Sequence, residues 1–107
     1  MSNTSERYKL YRYCSFKTSK TITQEYSTSF YAATDMFPAD MRDAIHSIYG
    51  FVRIADEIVD SFHEHDREKL LRDFERDYDE AYEMGISTNP ILYSFQWTVK
   101  QYNIPDE

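Results

Sequence analysis

The stretch PADMRDAIHSIYGFVRIADEIVDSF, residues 38–62, carries Met41, Ala44, Ile45, Ile48, Val52, Ala55, Val59 and Phe62 at steps of three and four. That spacing puts one apolar side chain per turn on one helical face and predicts a single long helix from Pro38 to Phe62, opened by the proline, with Asp40 in its first turn. The same stretch packs Arg53, Asp56, Glu57 and Asp60 into eight residues, RIADEIVD. At about 100° per residue, Tyr49, Arg53, Asp56 and Asp60 fall within roughly a 60° arc along the edge of the apolar stripe, which is expected to be buried.

Asp56 and Asp60 are one helical turn apart, so both carboxylates point the same way and can share a hard cation through oxygen; Glu57 is rotated away from them. The alternative is a solvated helix edge on which Arg53 pairs with Asp56 or Glu57, and DxxxD alone does not separate the two. Position beside a buried stripe favours the cation, because two like charges there repel unless a cation or water relieves them.

Working outward, residues 6–24 are helix-compatible, with Tyr8, Tyr11, Cys14 or Ser15, Thr18 and Ile22 three or four apart. YSTSF (26–30) reads as a break and a short helix, capped by Ser27 or Thr28 and running through Ala32 and Ala33 to Met36. After the polar segment HEHDRE a further helix is expected over 66–84, with Leu70, Leu71, Phe74, Tyr78, Ala81 and Tyr82 as its stripe and Gly85 as its stop. A last helix runs from Asn89 or Pro90 to Tyr102, and NIPDE (103–107) reads as the opening of another. Two glycines and three prolines in 107 residues leave little turn chemistry for short strands, so the expected fold is all-α, one domain of about five helices.

The net charge of −7 and the lack of a basic run argue against a nucleic-acid partner. Cys14 is the only cysteine, which excludes a disulfide framework within the chain and points to a reducing, cytoplasmic setting; between Tyr13 and Phe16 it reads as an inert packed thiol. The first thirty residues contain no apolar run of signal or membrane-span length. His63 and His65 in FHEH diverge too far to share a metal and fit a polar turn, and His46 reads as a hydrogen-bonded surface or boundary residue. No glycine-rich phosphate loop and no GxSxG is present. Most of the ten tyrosines and seven phenylalanines are expected to pack in the core or at its margin.

YSTSF, PADMR and IYGFVRIADEIVD, in this order and spacing, resemble the amino-terminal part of the squalene/phytoene synthase family, bacterial phytoene synthases above all. The likeness runs from about Tyr13 to the end and includes NPILYSFQWTVKQYNI. It implies the isoprenoid synthase fold and a head-to-head condensation of two prenyl diphosphates, through a cyclopropylcarbinyl diphosphate, to a linear precursor of carotenoids or sterols. Carried onto this chain, it makes Asp56 and Asp60 ligands of Mg2+ or Mn2+, Arg53 a diphosphate contact and Tyr49 a residue near the reacting carbons. Tyr26, Ser27, Thr28 and Ser29 would meet the diphosphate oxygens, with Phe30 against the prenyl chain.

The chain departs from the pattern in two ways. YSTSF offers only hydroxyls where family members often carry a basic residue, and the family's second aspartate-rich helix has no counterpart here. A pocket for a chain of about twenty carbons needs walls on the order of 20 Å long. The expectation is therefore an amino-terminal fragment, inactive alone, with exposed apolar faces that drive self-association and greasy substrates that bring it to a membrane surface. The alternatives are a squalene-type synthase, a non-catalytic helical binding or assembly relative, and an acidic interaction module.

Overall fold

A computed structural model describes residues 4–105 as five α-helices, with no strand among them. They are α1 (Thr4–Tyr26), α2 (Thr28–Thr34), α3 (Ala39–Asp60), α4 (Arg67–Met84) and α5 (Pro90–Gln101). Several boundaries have a local cause. The Ser27 side chain caps α2 by accepting from the Phe30 N–H, Asp66 caps α4 through the Lys69 N–H, and Asn89 caps α5 through the Ile91 and Leu92 N–H groups, with Pro90 as its first residue. Gly85 ends α4 at φ 74°, a left-handed conformation that only glycine adopts without strain. Asn103, at φ 56°, closes α5 in the same way. Ile104 and Pro105 continue as coil, so no helix opens within NIP, and Asp106 and Glu107 lie outside the described residues.

Helices α1, α3 and α5 pack on one another, α4 covers α3 and α5, and α2 rests on the end of α1. The apolar core lies where α3, α4 and α5 meet: Ile58, Phe74, Ala81 and Leu92 are buried, with Phe51, Ile54, Leu71 and Tyr78 packed around them. Phe51 stacks on Phe95 with 4.0 Å between ring centres and on Phe74 with 5.2 Å.

The seam between α1, α3 and α5 is built differently. Tyr8, Tyr13 and Cys14 are exposed, and the buried line of α1 is Ser15, Ser19 and Thr23, four residues apart. The expectation of an apolar stripe with a packed Cys14 thiol is thus corrected. Small side chains let the helices approach, and their hydroxyls are satisfied across the seam or by the preceding turn. Ser19 Oγ lies 2.8 Å from Ser94 Oγ, and Ser47 Oγ 2.7 Å from Thr98 Oγ1. Gly50 belongs to this seam, since a methyl group there would sit 3.2 Å from Ser19 Oγ. His46 is buried rather than at the surface, with Nε2 3.2 Å from Thr34 Oγ1 and its ring stacked on Tyr31.

The apolar stripe of α3 is the largest correction. Its buried side is His46, Ser47, Gly50 and Ile58, flanked by Phe51 and Ile54. Ile48, Val52 and Val59, expected in the core, are 37%, 48% and 49% exposed, and Met41 and Phe62 are exposed with them. The helix has apolar residues around most of its circumference, and the three-helix packing takes the side with the small residues. Ala44 and Ile45 are half-buried and Ala55 packs against the core, so the row that the periodicity singles out faces outward only in part, at Met41, Ile48, Val52, Val59 and Phe62.

Candidate functional site

Asp56 and Asp60 lie on that outward side of α3, next to Val52 and Val59 by helical rotation, and both are exposed. Solvent screens these two exposed carboxylates from each other, so burial does not set them in opposition as the sequence suggests. Among the described residues no group of three or more acidic, histidine or cysteine side chains gathers to hold a metal. Neither aspartate forms an ion pair among the described residues, a property shared with most of the acidic side chains; what the pair adds is its one-turn spacing on α3.

Arg53 is held by Glu57. Its Nη2 donates to Glu57 Oε1 at 3.1 Å, both side chains being largely covered, and Asp56 takes no part. The second Glu57 oxygen accepts from the Tyr26 hydroxyl at 3.0 Å, and the Arg53 guanidinium lies 5.2 Å from the Tyr26 ring centre. The hydrogen bond to the Glu57 carboxylate, with lesser help from desolvation, pushes the Tyr26 hydroxyl above its ordinary range. Arg53 Nε is buried and without a hydrogen-bond partner among the described residues. Glu57 thus ties the end of α1 to α3 and sets the direction of Arg53, a role its rotation away from the aspartates hid. Its place four residues after Arg53 was the signal.

Tyr49 stacks on Phe30 with 5.0 Å between ring centres, so α2 meets α3 at the turn before Arg53. Tyr26 is the last residue of α1, and Ser27 is the cap of α2 whose hydroxyl oxygen is engaged by the Phe30 N–H. Thr28 and Ser29 are exposed on the first turn of α2. Tyr26 thus meets Arg53 and Phe30 meets Tyr49, two contacts placed one turn apart along α3. Asp56 and Asp60 lie on the next turns of α3, and Ser27 accepts from the Phe30 N–H while, among the described residues, its own O–H stays free to donate.

The donor set fits a divalent cation of the Mg2+ type. Such an ion keeps much of its hydration and is held by one or two carboxylates together with phosphate oxygens, and two unpaired carboxylates one turn apart supply that half of a coordination sphere. Among the described residues no helix is long and apolar enough to cross a membrane.

The described residues define an all-helical scaffold with an exposed pair of aspartates one turn apart on α3. The squalene/phytoene synthase family model matches residues 23–107, and the chain belongs to that family. Its members are prenyl-diphosphate-condensing enzymes that generally depend on a divalent metal. No curated protein matches the chain, and no solved structure does.

Proposed function

We propose that this chain supplies one wall of the active site of a phytoene synthase-type prenyltransferase, joining two geranylgeranyl diphosphates head to head. Asp56 and Asp60 hold Mg2+ or Mn2+, Arg53 contacts the diphosphate, and Tyr49 and Phe30 line the cavity beside the reacting carbons. The observation that carries this reading is the outward face of α3, where two unpaired aspartates share one side with exposed Ile48, Val52 and Val59. A solvated helix edge needs no apolar row, whereas a wall that binds a charged head and a hydrocarbon tail needs both.

When bound, the cation neutralises charge on the diphosphate as the carbon–oxygen bond breaks. The chain's own residues do the rest. Arg53, aimed by Glu57, gives a fixed positive charge to the leaving oxygens, and the buried Nε donor awaits an acceptor. Tyr26, Thr28 and Ser29 present hydroxyls at the same end of the wall. The stacked Phe30 and Tyr49 rings offer π-faces to the allylic cation and keep water from it. The uncovered face of α3 is proposed to drive self-association and peripheral contact with a membrane.

Thermal unfolding tests the reading. Mg2+ with geranylgeranyl thiodiphosphate should raise the melting temperature, because a ligand that binds only the folded form stabilises it, and Asp56→Asn should abolish the shift. A squalene-type enzyme would respond equally to farnesyl thiodiphosphate. A non-catalytic relative or an acidic module would show no Mg2+-dependent shift with either.

A further inference from the structure

At the opposite end of α3 from Asp56 and Asp60, a cavity of about 660 Å³ opens between the first part of α1, the start of α3 and the end of α5. Its α1 wall carries Lys9, Arg12, Lys17 and Lys20, a third of the twelve Lys and Arg side chains in a chain whose net charge is −7. Among the described residues none of the four forms an ion pair, although Asp40 and Asp43 line the facing wall. Those two carboxylates confine an incoming anion to the α1 side.

Arg12 is the most firmly set of the four. Its guanidinium lies 3.8 Å from the centre of the Trp97 ring, and its Nε is buried with no hydrogen-bond partner among the described residues. A guanidinium stacked on an indole is fixed in plane, with a fork of donors suited to two oxygens of an oxyanion. A buried donor without an acceptor is destabilising, so the site wants an oxygen that the described residues do not give it.

The rest of the wall is aromatic. Phe16 and Tyr13 lie beside Trp97 around the cavity, and an adjoining cavity of about 620 Å³, lined in part by Tyr8 and Tyr93, shares Lys9, Arg12 and Trp97. Four cations call for more negative charge than one carboxylate carries, and the rings call for an apolar body. We propose that the cleft between α1 and α5 binds a phosphate ester bearing an apolar group, with the phosphate on Arg12 and the neighbouring lysines and the apolar part against Trp97 and Phe16. Two sources share this chemistry, a soluble phosphate ester and the headgroup of an anionic phospholipid. The site shares no residue with the acidic turn of α3.

Trp97 is the only tryptophan in the chain, so its fluorescence reports on this cavity directly. Phenyl phosphate is titrated into the full chain, as are, separately, phosphatidylcholine vesicles with and without phosphatidylglycerol. A saturable change in Trp97 emission is expected with phenyl phosphate or with the phosphatidylglycerol vesicles, and none with phenol or pure phosphatidylcholine. A response to phenyl phosphate alone assigns a soluble ester, a response to the anionic vesicles alone assigns a lipid headgroup, and a response to both assigns the phosphate chemistry they share. The Lys9→Gln, Lys20→Gln double variant leaves Arg12 and the reporter in place and should weaken binding about tenfold, the effect expected for lost charge-assisted contacts. No response to either probe, or unchanged binding by the double variant, overturns the proposal. Asp56→Asn should leave the response intact, and its loss there would also overturn the proposal by placing the phosphate on α3.

Discussion

Glu57 accepts from Arg53 Nη2 at 3.1 Å, and its other carboxylate oxygen accepts from the Tyr26 hydroxyl 31 residues earlier in the chain. One side chain thus fixes the direction of a guanidinium and joins α1 to α3. Replacing it with glutamine leaves shape but removes the charge. Glu57→Gln should lower the unfolding free energy by about 0.5–1 kcal/mol, the range for a partly exposed i,i+4 pair with one added hydrogen bond. It should also let Tyr26 titrate closer to its ordinary range, because the carboxylate that raises it is gone. Urea denaturation and tyrosine-labelled NMR titration measure the two effects.

Gly50 sits in the seam between α1 and α3, with a methyl group at that position only 3.2 Å from Ser19 Oγ. A β-branched side chain there must push the helices apart or rotate Ser19 off its partner Ser94. Gly50→Val should destabilise the chain by about 1–3 kcal/mol, the usual range for overpacking a tight seam. Thermal unfolding checks this, with Gly85→Ala giving a separate loss that comes from backbone strain at φ 74°.

His46 carries the pH dependence. Burial pushes its imidazole below the ordinary value of 6.5, with Lys20 and Arg42 acting in the same direction and Asp43 and Asp35 against it. Its Nε2 meets Thr34, and Nδ1 has no partner among the described residues. Because the unfolded chain takes up the proton more readily, His46 favours folding fully above the unfolded value. That stability is lost as pH falls from there through the folded value. Urea midpoints should fall over this window in the wild type, and the slope should flatten in His46→Gln.

The outward row of α3 predicts behaviour in solution. Ile48, Val52 and Val59 leave an apolar strip uncovered among the described residues, and such strips drive association. Sedimentation velocity should show concentration-dependent association of the chain. Val52→Ser with Val59→Ser should reduce it while leaving helix content unchanged, because neither side chain is in the core.

Helix limits were legible where a local chemical mark stands: Ser27 at a cap, Pro90 at a first turn, Gly85 at a stop. Which face of α3 is buried was not. Periodicity reports that Ile48, Val52 and Val59 share a side, but it does not say whether that side meets a core or a cavity. The decision came from Gly50, Ser19 and Ser94, small residues whose value lies in letting backbones approach, and a search for apolar spacing passes over them. The contact of Arg12 with Trp97 was likewise beyond reach, since it joins residues 85 positions apart with no shared motif. Among the site residues the one-turn spacing of Asp56 and Asp60 was legible. The choice of Glu57 over Asp56 as partner of Arg53 was left open, because both lie within reach on an isolated helix and only the hydroxyl of Tyr26 decides between them.

The most direct measurement is paramagnetic broadening of amide resonances by Mn2+ in the presence of geranylgeranyl thiodiphosphate. The account predicts that broadening centres on residues 53–60 of α3, spreads to residues 26–30, and disappears in the Asp56→Asn, Asp60→Asn double variant. Broadening centred elsewhere, or persisting in that variant, would contradict it.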